Sequence, residues 1–296
     1  VKIVLSGIFY PMAILRYFQQ AFERRADVEL FTIGIYTGRQ IPWNGGMMLP
    51  EVYSKSPDYV VQSENTPIQY AENQLPWHPD LWIQIDSTWS LTGKPSCRNI
   101  IVGTDPHCID YSRSRKYADT FYCMQTPYMK EGDKYLAYAY DPIWHTPVPN
   151  VEKVYDAGLI GAPYDSRQRL VNYLGEKGWK VLFTGYGPCY EEYRQLMTQC
   201  KVGLNVSTQK DLCARVFETM AMGLAPLINK VPDLDTLGFT DGQDYISFVS
   251  HEDADEKLKW LINEDNWWKI AHNAWKVVGP HTWDARVEQI LDENKA

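Results

Sequence analysis

The sequence predicts a two-domain α/β protein in which each domain is built on a parallel sheet. Three observations carry this. The chain has 296 residues, more than one typical domain and suited to two of about 150. Short apolar runs alternate with stretches of helical periodicity, the pattern of repeated β-α units. The alternation breaks at residues 141–150, DPIWHTPVPN, and then restarts, which places a domain boundary there. The expected domains are 1–148 and 149–282, with a terminal helix over 283–296 able to pack back on the first.

In chain order, KIVLS (2–6) reads as a buried strand that enters a tight turn at Ser6-Gly7. Ala13, Ile14, Tyr17, Phe18, Ala21 and Phe22 recur at helical spacing, and VELFTI (28–33) is the next strand. A short strand-helix-strand unit of this kind favours a right-handed parallel crossover. Residues 35–57, with Asn44-Gly45-Gly46 and several prolines, read as an irregular covering loop. Further strands are expected at 81–85, 99–102 and 120–124. Ligands of open α/β sheets sit beyond the carboxyl ends of strands, so 86–90, 103–107 and 125–128 form the expected functional rim of the first half. Segment 141–150 reads as a linker, although Ile143 and Trp144 could equally pack against a domain.

The second half is more regular. Strands are expected at 155–160, 180–184, 202–206 and 225–228, with helices at 166–174, 190–197 and 214–222 between them. Asp165 or Ser166 can cap the first of these helices, and Gly223 signals the end of the last. The tryptophan-rich tail reads as terminal helices.

Composition narrows the function classes. Net charge is −8, which argues against general charge attraction to nucleic acid. The densest basic group is Arg113, Arg115 and Lys116, a local patch or a solvated face. Aromatic content is 14%, enough to fill cores and to line a groove for sugars or bases. The six cysteines show no CxxC pair and read as reduced, mostly buried thiols of a cytosolic protein. No apolar run reaches the roughly 18 residues of a membrane span. The N-terminus opens directly into a strand pattern, which predicts no signal peptide. Dinucleotide, P-loop and hydrolase-elbow motifs are all missing. Asp233-x-Asp235, in a proline-containing loop, and Asp253-x-Asp255, at a helix start, are weak candidates for a metal. The histidines show no ligand spacing.

The most informative segment is STQKDLCARVFETMAMG (207–223). A strand ends, a polar loop follows, and a helix begins near Arg215. Backbone N–H groups at such a start can hold a phosphate, with Arg215 adding a forked contact. Glu218 can accept hydrogen bonds from two vicinal ribose hydroxyls, because both carboxylate oxygens are acceptors. The plainer alternative is a surface helix whose early Glu complements the dipole.

RVFETMAMGLAPLI resembles the helix-and-strand signature of group 1 glycosyltransferases, and more closely their spore-maturation-protein-like branch. The resemblance covers residues 154–290. It includes GLIG before Tyr164 and Arg167, the strand ending in Gly185, the run Val202-Gly203-Leu204-Asn205, and His281-Thr282 with Arg286 following. It implies the GT-B fold, with two facing Rossmann-like domains and parallel sheets. It also implies retaining transfer from a nucleotide-sugar substrate, with no cofactor and no essential metal. By that resemblance Glu218 holds the ribose. Arg215, the N–H of Val216 and Arg167 face the diphosphate, and Gly185 and Tyr186 border the base. The family's usual carboxylate, eight residues before the ribose Glu, is here Lys210. Lys210 can contact phosphate, and the neighbouring Asp211 can approach the sugar. In the first half, the family's acceptor-side His is matched by His107, with Asp105 as the alternative, either orienting an acceptor hydroxyl or taking its proton. Gly7 would let backbone approach the diphosphate, or simply serve a turn.

The expected function is therefore sugar transfer to a hydroxyl acceptor by a cytoplasmic enzyme. The alternatives are a phage-type enzyme acting on modified DNA bases, a sugar-nucleotide epimerase, and a non-catalytic nucleotide-sugar-binding protein.

Overall fold

A computed structural model describes residues 1–41, 48–86, 91–185 and 187–294. It divides into two compact units: Val1–Ala137 with Trp283–Ala296, and Tyr138–Thr282.

The strands of the first unit are β1 (Lys2–Phe9), β2 (Glu29–Tyr36), β3 (Tyr59–Val60), β4 (Thr66–Pro67), β5 (Leu81–Ile85), β6 (Leu91–Thr92), β7 (Arg98–Gly103), β8 (Thr120–Cys123) and β9 (Lys134–Tyr135). Among the described residues, seven form one parallel sheet in the order β3-β2-β1-β5-β7-β8-β9, while β4 and β6 pair separately. The order reverses direction between β1 and β5, which makes their carboxyl ends a natural ligand position. Helix α1 (Ile14–Glu23) buries Leu15, Tyr17, Phe18, Ala21 and Phe22, the face its 3.6-residue spacing predicts. Helices α2 (Ile68–Glu72) and α3 (Ser112–Arg115) are short.

Gly7 does not open a turn. It lies inside β1, in register with Gly34 of β2. A Cβ on Gly7 would stand 2.7 Å from the carbonyl oxygen of Ile85, and one on Gly34 would collide with the Gly7 carbonyl at 1.9 Å. Close approach of neighbouring strands explains both glycines, and β1 runs on to Phe9.

The chain's last helix, Trp283–Glu293, belongs to this first unit. Trp283 is fully buried and stacks on Tyr17 at 5.8 Å. Arg286 donates to the Ala137 carbonyl at 2.8 Å, and Asp284 takes a two-pronged contact from Arg24.

The second unit holds β10 (Tyr155–Ile160), β11 (Val181–Thr184), β12 (Cys200–Asn205), β13 (Ala225–Asn229) and β14 (Ile246–Phe248). They form a parallel sheet in the order β11-β10-β12-β13-β14, which reverses between β10 and β12. Its helices are α4 (Asp165–Glu176), α5 (Glu191–Met197), α6 (Ala214–Ala221), α7 (Pro232–Thr236), α8 (His251–Asn263) and α9 (Trp267–Val278). Inward residues of the strands, such as Leu159, Leu204 and Leu227, meet Leu170, Leu258 and Ile270 from α4, α8 and α9 in one core. Gly223 adopts φ 73°. Leu224 N–H donates to the Thr219 carbonyl and Gly223 N–H to Met220, closing α6 with a Schellman motif.

Several expectations are corrected. Tyr164, not Asp165 or Ser166, stands at the N-cap of α4, and no side chain caps it. Asp233 and Asp235 lie in helix α7 rather than a loop. Asp253 and Asp255 do lie at a helix start, as expected: Ser250 caps α8 by accepting from the Asp253 N–H, and Asp255 accepts from Trp179 and Lys259. Cys108 is exposed, whereas Cys123 and Cys200 are buried. Residues 141–150 pack as part of the second unit: Asp141 and His145 are buried and Trp144 meets Tyr190, while Ile143 is exposed. Asn44-Gly45-Gly46 lies outside the described residues. Among the described residues, no helix is long and apolar enough to cross a membrane.

Candidate functional site

The carboxyl ends of β10 and β12 lie side by side at the reversal of the second sheet. Three segments converge there. The chain leaving β10 turns through Gly161 (φ 149°), where a Cβ would strike the Arg215 guanidinium at 2.2 Å. Glycine suits this position because side chains rarely adopt that φ and because a Cβ would push the arginine off the backbone. Arg215, in the first turn of α6, spans the two strand ends: Nε donates to the Ile160 carbonyl at 2.8 Å and Nη1 to Asn205 Oδ1 at 3.2 Å. Arg167, buried in the first turn of α4, donates to the carbonyls of Ala162 at 3.0 Å and Val206 at 3.3 Å. Its guanidinium stacks 4.8 Å from the Tyr164 ring centre.

The two guanidiniums feel each other. Burial, and then the charge of Arg215, lower the Arg167 pKa. Burial also acts to lower the pKa of Arg215, but Cys213, Tyr193, Glu218 and Asp211 outweigh it and raise it. The hydrogen bonds that anchor Arg167 go to neutral carbonyls, so an incoming anion would relieve the repulsion.

Glu218 sits one turn further along α6, 9% exposed. Its Oε1 lies 3.6 Å from Nε2 of His145. Burial first, and then the Glu218 charge, push the nearby Tyr193 hydroxyl well above its usual range. Sheet order and helix packing thus place Glu218 near the arginine pair, on the same short helix as Arg215.

The other expected donor residues are placed as follows. The Val216 N–H donates to the Cys213 carbonyl at 3.2 Å, within the opening turn of α6. Lys210 is exposed in a left-handed conformation at φ 60°. Asp211 closes the loop before α6, accepting from Ser207 Oγ at 2.7 Å and from the Gln209 N–H at 3.1 Å. Gly185 follows β11, with the Pro163 ring 3.8 Å from where its Cβ would stand. Tyr186 lies outside the described residues.

In the first unit, Asp105 and His107 follow β7, on a loop pinned by Asp86 at the end of β5. The Asp86 carboxylate accepts from the Thr104 N–H at 2.9 Å, from Thr104 Oγ1 at 2.6 Å and from the Tyr111 hydroxyl. Asp86 takes φ 50°, a conformation non-glycine residues adopt at a cost. Burial and the neighbouring Asp105 push its carboxyl up to about 6, against the opposing pull of its hydrogen bonds. Gly7 borders this strand end through its close approach to Ile85. The His107 ring lies 6.1 Å from Tyr128, and its buried Nδ1 has no hydrogen-bond partner among the described residues. Residues 87–90 of the expected rim lie outside the described residues. Of the basic group, Arg115 is engaged by Asp133 at 2.8 Å and stacks on Phe121, leaving Arg113 and Lys116 exposed.

Sequence reasoning did not select His145, Tyr193, Asn205 or Asp86 as site residues. His145 sits in proline-rich text with no motif. Asn205 was named only as the end of the resemblance run Val202-Gly203-Leu204-Asn205, with no role of its own. Asp86 fell within the expected rim but had no named partner.

The Glycosyl transferase-like family model matches residues 152–292. No curated protein sequence matches the chain. Solved structures match over nearly its whole length. Sucrose-phosphate synthase from Thermosynechococcus elongatus superposes with a TM-score of 0.64 at 10% identity, covering 99% of this chain and 98% of that one. A glycosyltransferase from Rickettsia africae gives 0.64 at 10% identity, covering 99% and 97%. Anabaena HepE, solved in complex with UDP and glucose, gives 0.59 at 12% identity, covering 99% and 98%. Residues 152–292 thus resemble the Glycosyl transferase-like family, and the chain has the GT-B fold.

Proposed function

We propose that this protein is a glycosyltransferase of the spore-maturation-protein-like branch, moving a sugar from a nucleotide-sugar donor to a hydroxyl acceptor with retention at the anomeric carbon. The observation that carries the donor part is the pair Arg167 and Arg215, held at the ends of β10 and β12 with Glu218 one turn away. The arginines suit a diphosphate, and an anion there would be stabilised further as the leaving group gains charge. Glu218 suits the ribose diol. Lys210 adds positive charge from the exposed loop. Asp211, tied into that loop, is assigned to the sugar side, and Gly185 and Tyr186 border the base. The acceptor hydroxyl falls to the first unit, where His107 or Asp105 orients it or takes its proton.

HepE is solved with UDP and glucose, so a uridine diphosphate sugar is the first donor to try. The reaction is proposed to need no cofactor and no essential metal, and to take place in the cytoplasm. Transfer to modified DNA bases is disfavoured by the net charge of −8.

The test is a thermal-shift screen with UDP-, GDP-, ADP- and dTDP-sugars, with and without EDTA. One donor class should stabilise the protein, by roughly 2.7 kcal/mol at a hundred times its dissociation constant. EDTA should leave the shift intact, and Glu218→Ala should remove most of it. A shift that Glu218→Ala leaves unchanged would take Glu218 out of the site, and no shift with any donor would sink the proposal.

A further inference from the structure

The strongest feature outside the arginine pair is the turn that carries His145. Asp141 and His145 lock each other: the His145 N–H donates to the Asp141 carbonyl at 2.9 Å, and the Asp141 N–H donates to Nδ1 of the ring at 3.0 Å. The Asp141 carboxylate in turn accepts from the Ile143 N–H at 2.9 Å. The ring stands edge-on to Tyr193, with centres 5.9 Å apart and planes at 89°. His145 is 1% exposed.

This geometry fixes the tautomer. A ring that accepts at Nδ1 carries its proton on Nε2 when neutral. Burial lowers the His145 pKa, opposed by Glu218 and Asp141, with Arg194 lowering it further. The Nε2–H therefore looks toward Oε1 of Glu218 across 3.6 Å. That is longer than a hydrogen bond and within reach of a small rotation of the Glu218 carboxylate. Burying an imidazole costs free energy unless both nitrogens are used; here one nitrogen is bonded to the backbone and the other faces a carboxylate across 3.6 Å.

We propose that His145 is a positioning residue: its ring, locked by the Asp141–His145 turn, holds one oxygen of Glu218 so that the other is presented to the ribose hydroxyls of the donor nucleotide. The inference rests on the ribose role of Glu218 proposed above. A carboxylate free to rotate about its last bond would lose part of its grip on a diol, so the effect belongs to the ribose and not to the diphosphate.

The test titrates UDP, GDP and ADP, each against its 2′,3′-dideoxy counterpart, into the wild type, Glu218→Ala, His145→Ala and His145→Gln. The wild type should prefer one natural nucleotide over its dideoxy form by about tenfold or more, a ratio one or two hydrogen bonds to a charged group supply. Glu218→Ala should abolish that preference. His145→Ala should cut it several-fold while leaving affinity for the dideoxy nucleotide unchanged. His145→Gln, which keeps an N–H donor near the ring's far end, should restore part of it. Full preference in both His145 variants, once Glu218→Ala has lost it, overturns this inference alone. Equal weakening of both nucleotides in the two His145 variants makes the residue structural and also overturns it. Loss of folding in His145→Ala leaves the decision to His145→Gln, which must keep more preference than Glu218→Ala. Absence of any preference in the wild type, or of any nucleotide binding, removes the ribose reading and this inference with it.

Discussion

Asp86 is asked to do two opposed things. Its carboxylate accepts from Thr104 twice and from the Tyr111 hydroxyl, which favours the ionised form. Burial and Asp105 nevertheless push its pKa up to about 6. In the unfolded chain an aspartate titrates near 3.9. The folded state therefore binds the proton more tightly, and Asp86 weakens the fold as pH rises from about 4 to about 6. The loss is at most about 3 kcal/mol for a shift of that size. Asp86→Asn should remove this slope, so denaturant titrations of wild type and variant should diverge between pH 4 and 6, with the wild type losing ground. Parallel curves would show that Asp86 titrates normally. The same residue holds the loop of Asp105 and His107, so one carboxyl ties local strain to the position of the proposed acceptor-side groups.

At the scale of elements, helix α6 does the most. Its opening turn presents Arg215, its middle carries Glu218, and its end is closed by Gly223. Such a helix is useful only if held close to the sheet. Gly203 in β12 allows this: a Cβ there would stand 2.2 Å from Cγ2 of Thr219. Thr219 is buried and β-branched, so it cannot swing aside freely. Gly203→Ala should destabilise the second unit by about 1–3 kcal/mol and weaken donor binding with it, because the helix must lift. Guanidinium denaturation with a donor titration on the same variant measures both. An unchanged midpoint would mean that the interface gives way at no cost.

For the whole molecule, the last helix returns to the unit that holds the first strand and helix. Trp283 is fully buried against Tyr17 and Phe18 of α1. Asn294 accepts from the Thr120 hydroxyl at 2.8 Å and donates to the Tyr122 hydroxyl at 3.0 Å. A residue late in the sequence thus completes a core begun near its start. Trp283→Ala should cost about 3–5 kcal/mol. Hydrogen exchange should show lost protection in β1 and α1, with β10 and β12 kept. Loss confined to β10 and β12 instead would contradict the assignment of the last helix to the first unit.

The alternation of strands and helices was legible in the sequence because both periods are local. LWIQI matches β5 end to end, and β10 and α6 were readable within a residue or two. The Gly223 stop was readable for the same reason: a left-handed residue at a helix end has few alternatives to glycine. The two-residue strands β3 and β9 escaped notice, being too short to show a period. Gly7 was misread because the wish of a glycine for a turn and its need at a crowded strand crossing look alike in one dimension. What only the tertiary structure decided was proximity. Arg167 and Arg215 are 48 positions apart, and Glu218 and His145 are 73 apart. They meet because β10 lies between β11 and β12, and because the turn at 141–145 folds back under α6. Sheet order and the route of a connecting segment follow from the packing of the whole core, to which the period of any one segment is blind.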